Sequence, residues 1–144
     1  MNRPDSIVIH TLAYKGDADV DKVRGWHVDG NGWSDIGYHY LIRRSGEIQK
    51  GREEHVQGAH ALGYNTRSVG IALEGHGDHE RWTIPQTRSL LRLCKQLMDR
   101  YPAIGVQTVI GHRETGAPKT CPGNLIDMAS FRGLLMDYLP GEDQ

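Results

Sequence analysis

A chain of 144 residues, 38% hydrophobic and 24% charged, has the length and balance of one soluble domain with a hydrophobic core. Its formal net charge of -1 excludes a bulk electrostatic pull toward nucleic acid or an anionic membrane. No apolar run approaches the roughly 20 residues that a bilayer-spanning helix needs, and two cysteines exclude a disulfide framework. The polar start, Met-Asn-Arg-Pro-Asp-Ser, lacks the basic segment and apolar stretch of a secretory signal. That points to a protein that stays in the cytoplasm where it is made, or leaves by another route.

Residues 6–12 form a short β-branched run and predict a buried strand. Residues 17–27 carry Val20, Val23 and His27 at helical spacing, so a first helix is expected there. Gly30, Asn31 and Gly32 mark a loop. A second strand follows at 37–44, with alternation putting Tyr38 and Tyr40 on one face and His39 on the other. Ser45-Gly46 turns into a third strand at 47–50, and residues 51–67 predict a long glycine-bearing functional loop. Residues 69–73 read as another buried strand. The clearest helix spans 84–101. Thr83 and Gln86 have capping-box spacing, Pro85 suits the first turn, and Leu90, Leu93, Cys94, Leu97, Met98 and Tyr101 form one apolar stripe. Residues 106–110 predict a fifth strand, 111–124 a Gly/Pro-rich loop, and 127–139 a last helix closed by Pro140-Gly141. Strands alternating with helices predict a single α/β domain over 1–144 with its core in 5–139.

The chemistry-bearing candidates are His10, His112 and Cys121. His10 ends Ile-Val-Ile-His and His112 ends Val-Ile-Gly-His, both where a buried strand runs out into a loop. Cys121 lies nine residues after His112, across a turn-rich loop able to fold back. Two imidazoles and a thiolate leave the fourth tetrahedral position of a zinc ion open, which is the catalytic pattern; a structural site would add a fourth protein ligand. By residue type alone, a histidine at a strand end is more often a hydrogen-bonded core or surface residue. Cys94, inside the helical stripe, is a small core residue. Lys119, two residues before Cys121, would place an ammonium near the ion, where only an arriving anion favours it; its plainer reading is an exposed loop lysine. Tyr38, by residue type, reads as a strand packing residue, as tyrosines in strands usually are. The segment 58–67, Gly-Ala-His-Ala-Leu-Gly-Tyr-Asn-Thr-Arg, suits a sugar- or peptide-binding wall or a plain surface loop. His55, His76 and His79 read as surface residues.

Four blocks in order carry a family resemblance: Ile-Val-Ile-His at 7–10, Gly-Trp-Ser-Asp-Ile-Gly-Tyr-His-Tyr-Leu-Ile at 32–42, Gly-Ala-His-Ala-Leu-Gly-Tyr-Asn-Thr-Arg-Ser-Val-Gly-Ile at 58–71, and Gly-His-Arg-Glu at 111–114 followed by Lys-Thr-Cys-Pro-Gly at 119–123. The chain resembles the type-2 N-acetylmuramoyl-L-alanine amidases, which share a fold with peptidoglycan recognition proteins, and within them the small amidase lysozymes of T-odd bacteriophages. The resemblance implies a central mixed sheet of about five strands flanked by about three helices. It puts His10, His112 and Cys121 on the zinc ligands, Tyr38 on the active-site tyrosine and Lys119 on the active-site lysine. His60 falls in the loop that lines the substrate groove, and Trp33 and Asn65 lie in matching blocks as candidate substrate contacts. The loop from His112 to Cys121 is one residue longer than in the phage lysozymes, so an outward bulge is expected at residues 115–118.

The implied activity is zinc-dependent hydrolysis of the amide between N-acetylmuramic acid and L-alanine in peptidoglycan. No His-Glu-x-x-His helix supplies a base, so the proton for the leaving amine must come from Tyr38, Lys119, His60 or water. A phage endolysin of this kind would be a monomer waiting in the host cytoplasm until another protein opens the membrane. Three alternatives stand beside it: a non-catalytic wall-binding module, an inhibitor of phage RNA polymerase, and a cytoplasmic enzyme that recycles wall fragments. No direct contact with nucleic acid and no membrane insertion is expected.

Overall fold

The computed structural model describes residues 3–141. Its centre is a five-stranded sheet in the order β3-β2-β4-β1-β5. The strands are β1 (Ser6–Thr11), β2 (Tyr40–Ile42), β3 (Ile48–Lys50), β4 (Ser68–Leu73) and β5 (Val109–Gly111). β1 pairs in parallel with β4 and β5, β2 pairs in parallel with β4, and only the β2–β3 hairpin is antiparallel. The α-helices among the described residues are α1 (Val20–Gly25), α2 (Ile84–Arg100) and α3 (Met128–Gly141). The chain is thus a single α/β domain with a mixed sheet and three helices, as the alternation of elements predicted.

Strand alternation sorts the side chains onto two faces. Ile7 and Ile9 of β1 and Val69, Ile71 and Leu73 of β4 join Leu90, Leu93, Cys94 and Leu97 of α2 and Phe131 and Leu135 of α3 in the larger core. Val8 and His10 of β1, and Ser68, Gly70 and Ala72 of β4, alternate with them onto the opposite face. That second face carries a smaller cluster of Ala18, Val23, Ile36 and Leu41 beneath α1. α2 begins as its sequence dictates: Thr83 Oγ1 accepts from Gln86 N at 3.1 Å, and Gln86 Oε1 accepts from Thr83 N at 3.0 Å. Cys94 is fully buried, as its place in the stripe required.

Three elements are shorter than expected, each because a side chain takes over a backbone hydrogen bond. The helix expected at 17–27 starts at Val20, because Ala18 N–H donates to buried Glu74 and Asp19 caps Lys22 N. From Trp26 to Gly30 it widens into a π-helical turn. The strand expected at 37–44 is confined to Tyr40–Ile42. Upstream, His39 Nδ1 accepts the Gly70 N–H at 2.9 Å in place of a backbone carbonyl. The alternation resets there, so Tyr40 enters the larger core while Tyr38 packs against the smaller one, on opposite faces of the sheet. The strand expected at 106–110 begins instead at Val109, after a 3-10 turn closed by Thr108 and Gly105.

Loop 51–67 is tied down at Glu54. Its carboxylate accepts from Arg100 Nη1 at 2.6 Å and from the hydroxyls of Tyr101 and Tyr40. Burial raises the Glu54 pKa, but the hydrogen bonds from Arg100, Tyr101 and Tyr40 outweigh it and hold it below the usual value. The clamp is therefore complete above the unfolded glutamate pKa of about 4.3 and is lost as pH falls through the lower folded value. Glu54→Gln is expected to cost about 1–3 kcal/mol at pH 7, or roughly 2–4 °C of melting temperature per kcal/mol. Below about pH 4 the gap between variant and parent should narrow. Thermal melts at both pH values check this, and equal melting temperatures at pH 7 would remove the clamp.

Candidate active site

His10 is the penultimate residue of β1 and points to the face opposite α2 and α3. β5 lies beside β1, with Ile9 opposite Gly111, so the residue after β5, His112, arrives next to His10. The two ring centroids are 4.6 Å apart. Cys121 is brought back by three contacts. Thr11 Oγ1 donates to Pro122 O at 2.9 Å, Arg113 N–H donates to Cys121 O at 2.7 Å, and Asp78 Oδ2 accepts from Thr120 Oγ1 at 3.0 Å. The turn also passes against Gly77 so closely that a Cβ there would lie 1.8 Å from Pro122 O; only glycine fits this crossing.

The donor atoms of His10, His112 and Cys121 all lie within 4.8 Å of one another, and Cys121 Sγ is 3.8 Å from His10 Nδ1. A tetrahedral zinc with ordinary Zn–N and Zn–S bonds would hold such a pair roughly 3.6 Å apart, so the donor set and spacing fit zinc. The electrostatics agree. Burial, then His60, His112 and Lys119, push the His10 pKa well down, and burial with Lys119 lowers that of His112. Both imidazoles are therefore neutral and able to ligate. Burial pushes the Cys121 thiol up to about 11, so it ionises at neutral pH only when a cation joins it.

Two recesses flank the trio. One, of about 420 Å³, runs between His60 and Leu62 on one side and residues 115–119 on the other, with His112 in its lining. The other, of about 240 Å³, is lined by Thr11, His76, Asp78, Thr120 and Cys121. Lys119 lines both. The wall at 115–119 follows a 3-10 turn, His112–Thr115, and a left-handed Gly116 (φ 92°); Gly116 and Pro118 are exposed, where an outward bulge was expected. Tyr38 packs beside His10, with ring centroids 5.0 Å apart. Burial, then Cys121, raises its pKa, so it is a phenol at neutral pH.

The three candidate substrate contacts are placed differently. The His60 ring lies behind His10, its Nδ1 2.9 Å from His10 Nε2. Burial, then His39 and His112, lowers the His60 pKa to about 3. Asn65 Oδ1 accepts from the backbone N–H groups of His60 and Ala61, so this oxygen shapes the loop. Trp33 is exposed and stands one ring further out, 4.8 Å from His27. His27, read from sequence only as a helix position, lies 5.5 Å from Tyr38 and accepts the Gly37 N–H at 2.9 Å. No spacing signal in the chain marks it.

Fold and cluster together define an α/β protein with a three-donor site at its strand ends, open to a groove. The sequence matches the Amidase_2 profile, N-acetylmuramoyl-L-alanine amidase, over residues 1–124, and the chain belongs to that family. It is 37% identical over 125 residues to the endolysin of Escherichia phage T7, covering 82% of this chain and 80% of that protein. It is 33% identical to peptidoglycan-recognition protein SC2 of Drosophila melanogaster, over 74% of this chain but 58% of that protein. Among solved structures, the N-acetylmuramoyl-L-alanine amidase LysC from Clostridium intestinale URNW superposes with a TM-score of 0.83 at 35% identity, covering 93% of this chain and 86% of LysC. No helix among the described residues is long and apolar enough to cross a membrane.

Proposed function

We propose that this protein is a zinc-dependent N-acetylmuramoyl-L-alanine amidase acting on peptidoglycan as a phage endolysin. The observation that carries the reading is the convergence of His10, His112 and Cys121 at the junction of two recesses, with Lys119 and Tyr38 beside them. His10 Nδ1, His112 and Cys121 Sγ would hold the ion. When bound, zinc supplies Lewis acidity toward an amide carbonyl and toward water. The recesses take the two sides of the cleaved amide, sugar in one and peptide in the other. Lys119, lining both, would neutralise the oxyanion of a tetrahedral intermediate. Tyr38, kept protonated by burial, donates a hydrogen bond to the reacting oxygen. His60 Nδ1 is engaged with His10 Nε2 although the ring also lines the larger recess, so Tyr38, Lys119 or water would protonate the departing amine. As an endolysin, the protein would reach the wall after the host membrane is opened.

Digestion of purified peptidoglycan, with and without a chelator, followed by mass spectrometry, tests the proposal. New L-alanine amino termini that vanish with chelator are expected. New reducing sugar ends would mean a glycosidase instead, and binding without cleavage would mean a recognition module.

A further inference from the structure

From the hydrogen bonds behind His10 we infer that His60 and Ser68 form a proton-ordered relay that fixes which nitrogen of His10 faces the metal. His60 is thereby a positioning residue for a ligand. The inference rests on the zinc reading above. The chain of contacts runs from a backbone carbonyl to the donor cluster. Ser68 Oγ donates to Tyr64 O at 2.7 Å, and a carbonyl can only accept. The hydroxyl has one hydrogen, so toward His60 Nε2, 3.3 Å away, Ser68 accepts. The proton of the neutral His60 ring is then on Nε2, and its Nδ1 is a bare acceptor. That acceptor faces His10 Nε2 at 2.9 Å, so Nε2 carries the His10 proton. His10 Nδ1 is left unprotonated on the side where Cys121 Sγ lies 3.8 Å away. A metal-bound imidazole whose other nitrogen donates to an acceptor is oriented and made more basic by it.

The surroundings are built for this ring. His60 lies flat on β4 at Gly70, where a Cβ would come within 2.7 Å of its atoms. On the loop side, Asn65 Oδ1 accepts both His60 N–H at 2.8 Å and Ala61 N–H at 2.9 Å, fixing the backbone that carries the ring. Ser68 is fully buried. The relay therefore joins the cleft-wall loop to the ligand cluster through three side chains with a single direction of proton donation.

The test compares zinc affinity, by chelator competition, in the parent, His60→Ala and His60→Asn. Asparagine keeps an acceptor near the Nδ1 position. His60→Ala is expected to weaken zinc binding about 10–100-fold, and His60→Asn to recover most of the loss. Parent-like affinity in a folded His60→Ala, or an asparagine variant as weak as the alanine one, would overturn the relay. If His60→Ala does not fold, nitrogen-15 spectra of the histidines in the unaltered protein decide the matter. The proton is expected on His10 Nε2 with and without zinc; finding it on Nδ1 overturns the inference. A parent that binds no zinc would sink the metal reading, while the zinc-free spectrum would still read the relay by itself.

Discussion

Cys121→Ser is expected to leave a folded protein that neither retains zinc nor cleaves peptidoglycan. The thiolate is the soft donor of the trio, and a serine hydroxyl does not ionise in its place. The fold should survive, because the larger core draws on β1, β4, α2 and α3 and the smaller one on α1, none of which depends on the metal. The Pro122 and Thr120 contacts that hold the turn also remain. Losing even about 4 kcal/mol of carbonyl polarisation corresponds to roughly 10³ in rate, so turnover should drop at least that far. Metal analysis of the purified variant, alongside its far-ultraviolet circular dichroism, checks the claim. Full zinc occupancy in the serine protein would remove Cys121 from the ligand set.

Lys119→Ala should behave differently, losing about 10²–10³ in kcat with zinc still in place. The ammonium opposes protonation of both His10 and His112, and so also opposes a cation between them. Its removal should leave zinc bound at least as tightly as before. On the proposed mechanism, turnover falls because the oxyanion loses the ammonium that lines both recesses. Normal lysis of purified cell wall by the alanine variant would strike Lys119 from the mechanism. The pair of variants separates two roles that a single activity measurement would merge.

Much of this site was legible in the chain, because apolar runs ending in histidine mark strand ends, and strand ends are where a sheet offers rigid positions. That rule made His10 and His112 candidates and the family resemblance made them ligands; the parallel pairing of β1 with β5 makes them neighbours. The capping box and apolar stripe gave α2 to within a residue. What stayed hidden is a matter of imidazoles substituting for backbone. His39 accepts the Gly70 N–H and so ends the β2 ladder early, which no alternation pattern registers. His27 accepts the Gly37 N–H and stands beside Tyr38, yet from sequence it is only one more helical position. His60 could be assigned to a loop, but its contact with His10 depends on Gly70 leaving room, a relation between residues far apart in the chain. Asn65 likewise directs its oxygen inward to two N–H groups, a choice composition does not specify.

The alternation along β4 divides the protein into two provinces with unequal freedom to drift. Val69, Ile71 and Leu73 sit among many aliphatic neighbours, where volume-conserving exchanges usually cost less than about 1.5 kcal/mol. On the reverse side, Gly70 has no slack for one methyl group, since the imidazole rests directly on the main chain. Descendants of this sequence can therefore rebuild the helix-facing half residue by residue while the chemistry goes on undisturbed. On the other, Gly70 and His60 can change only together.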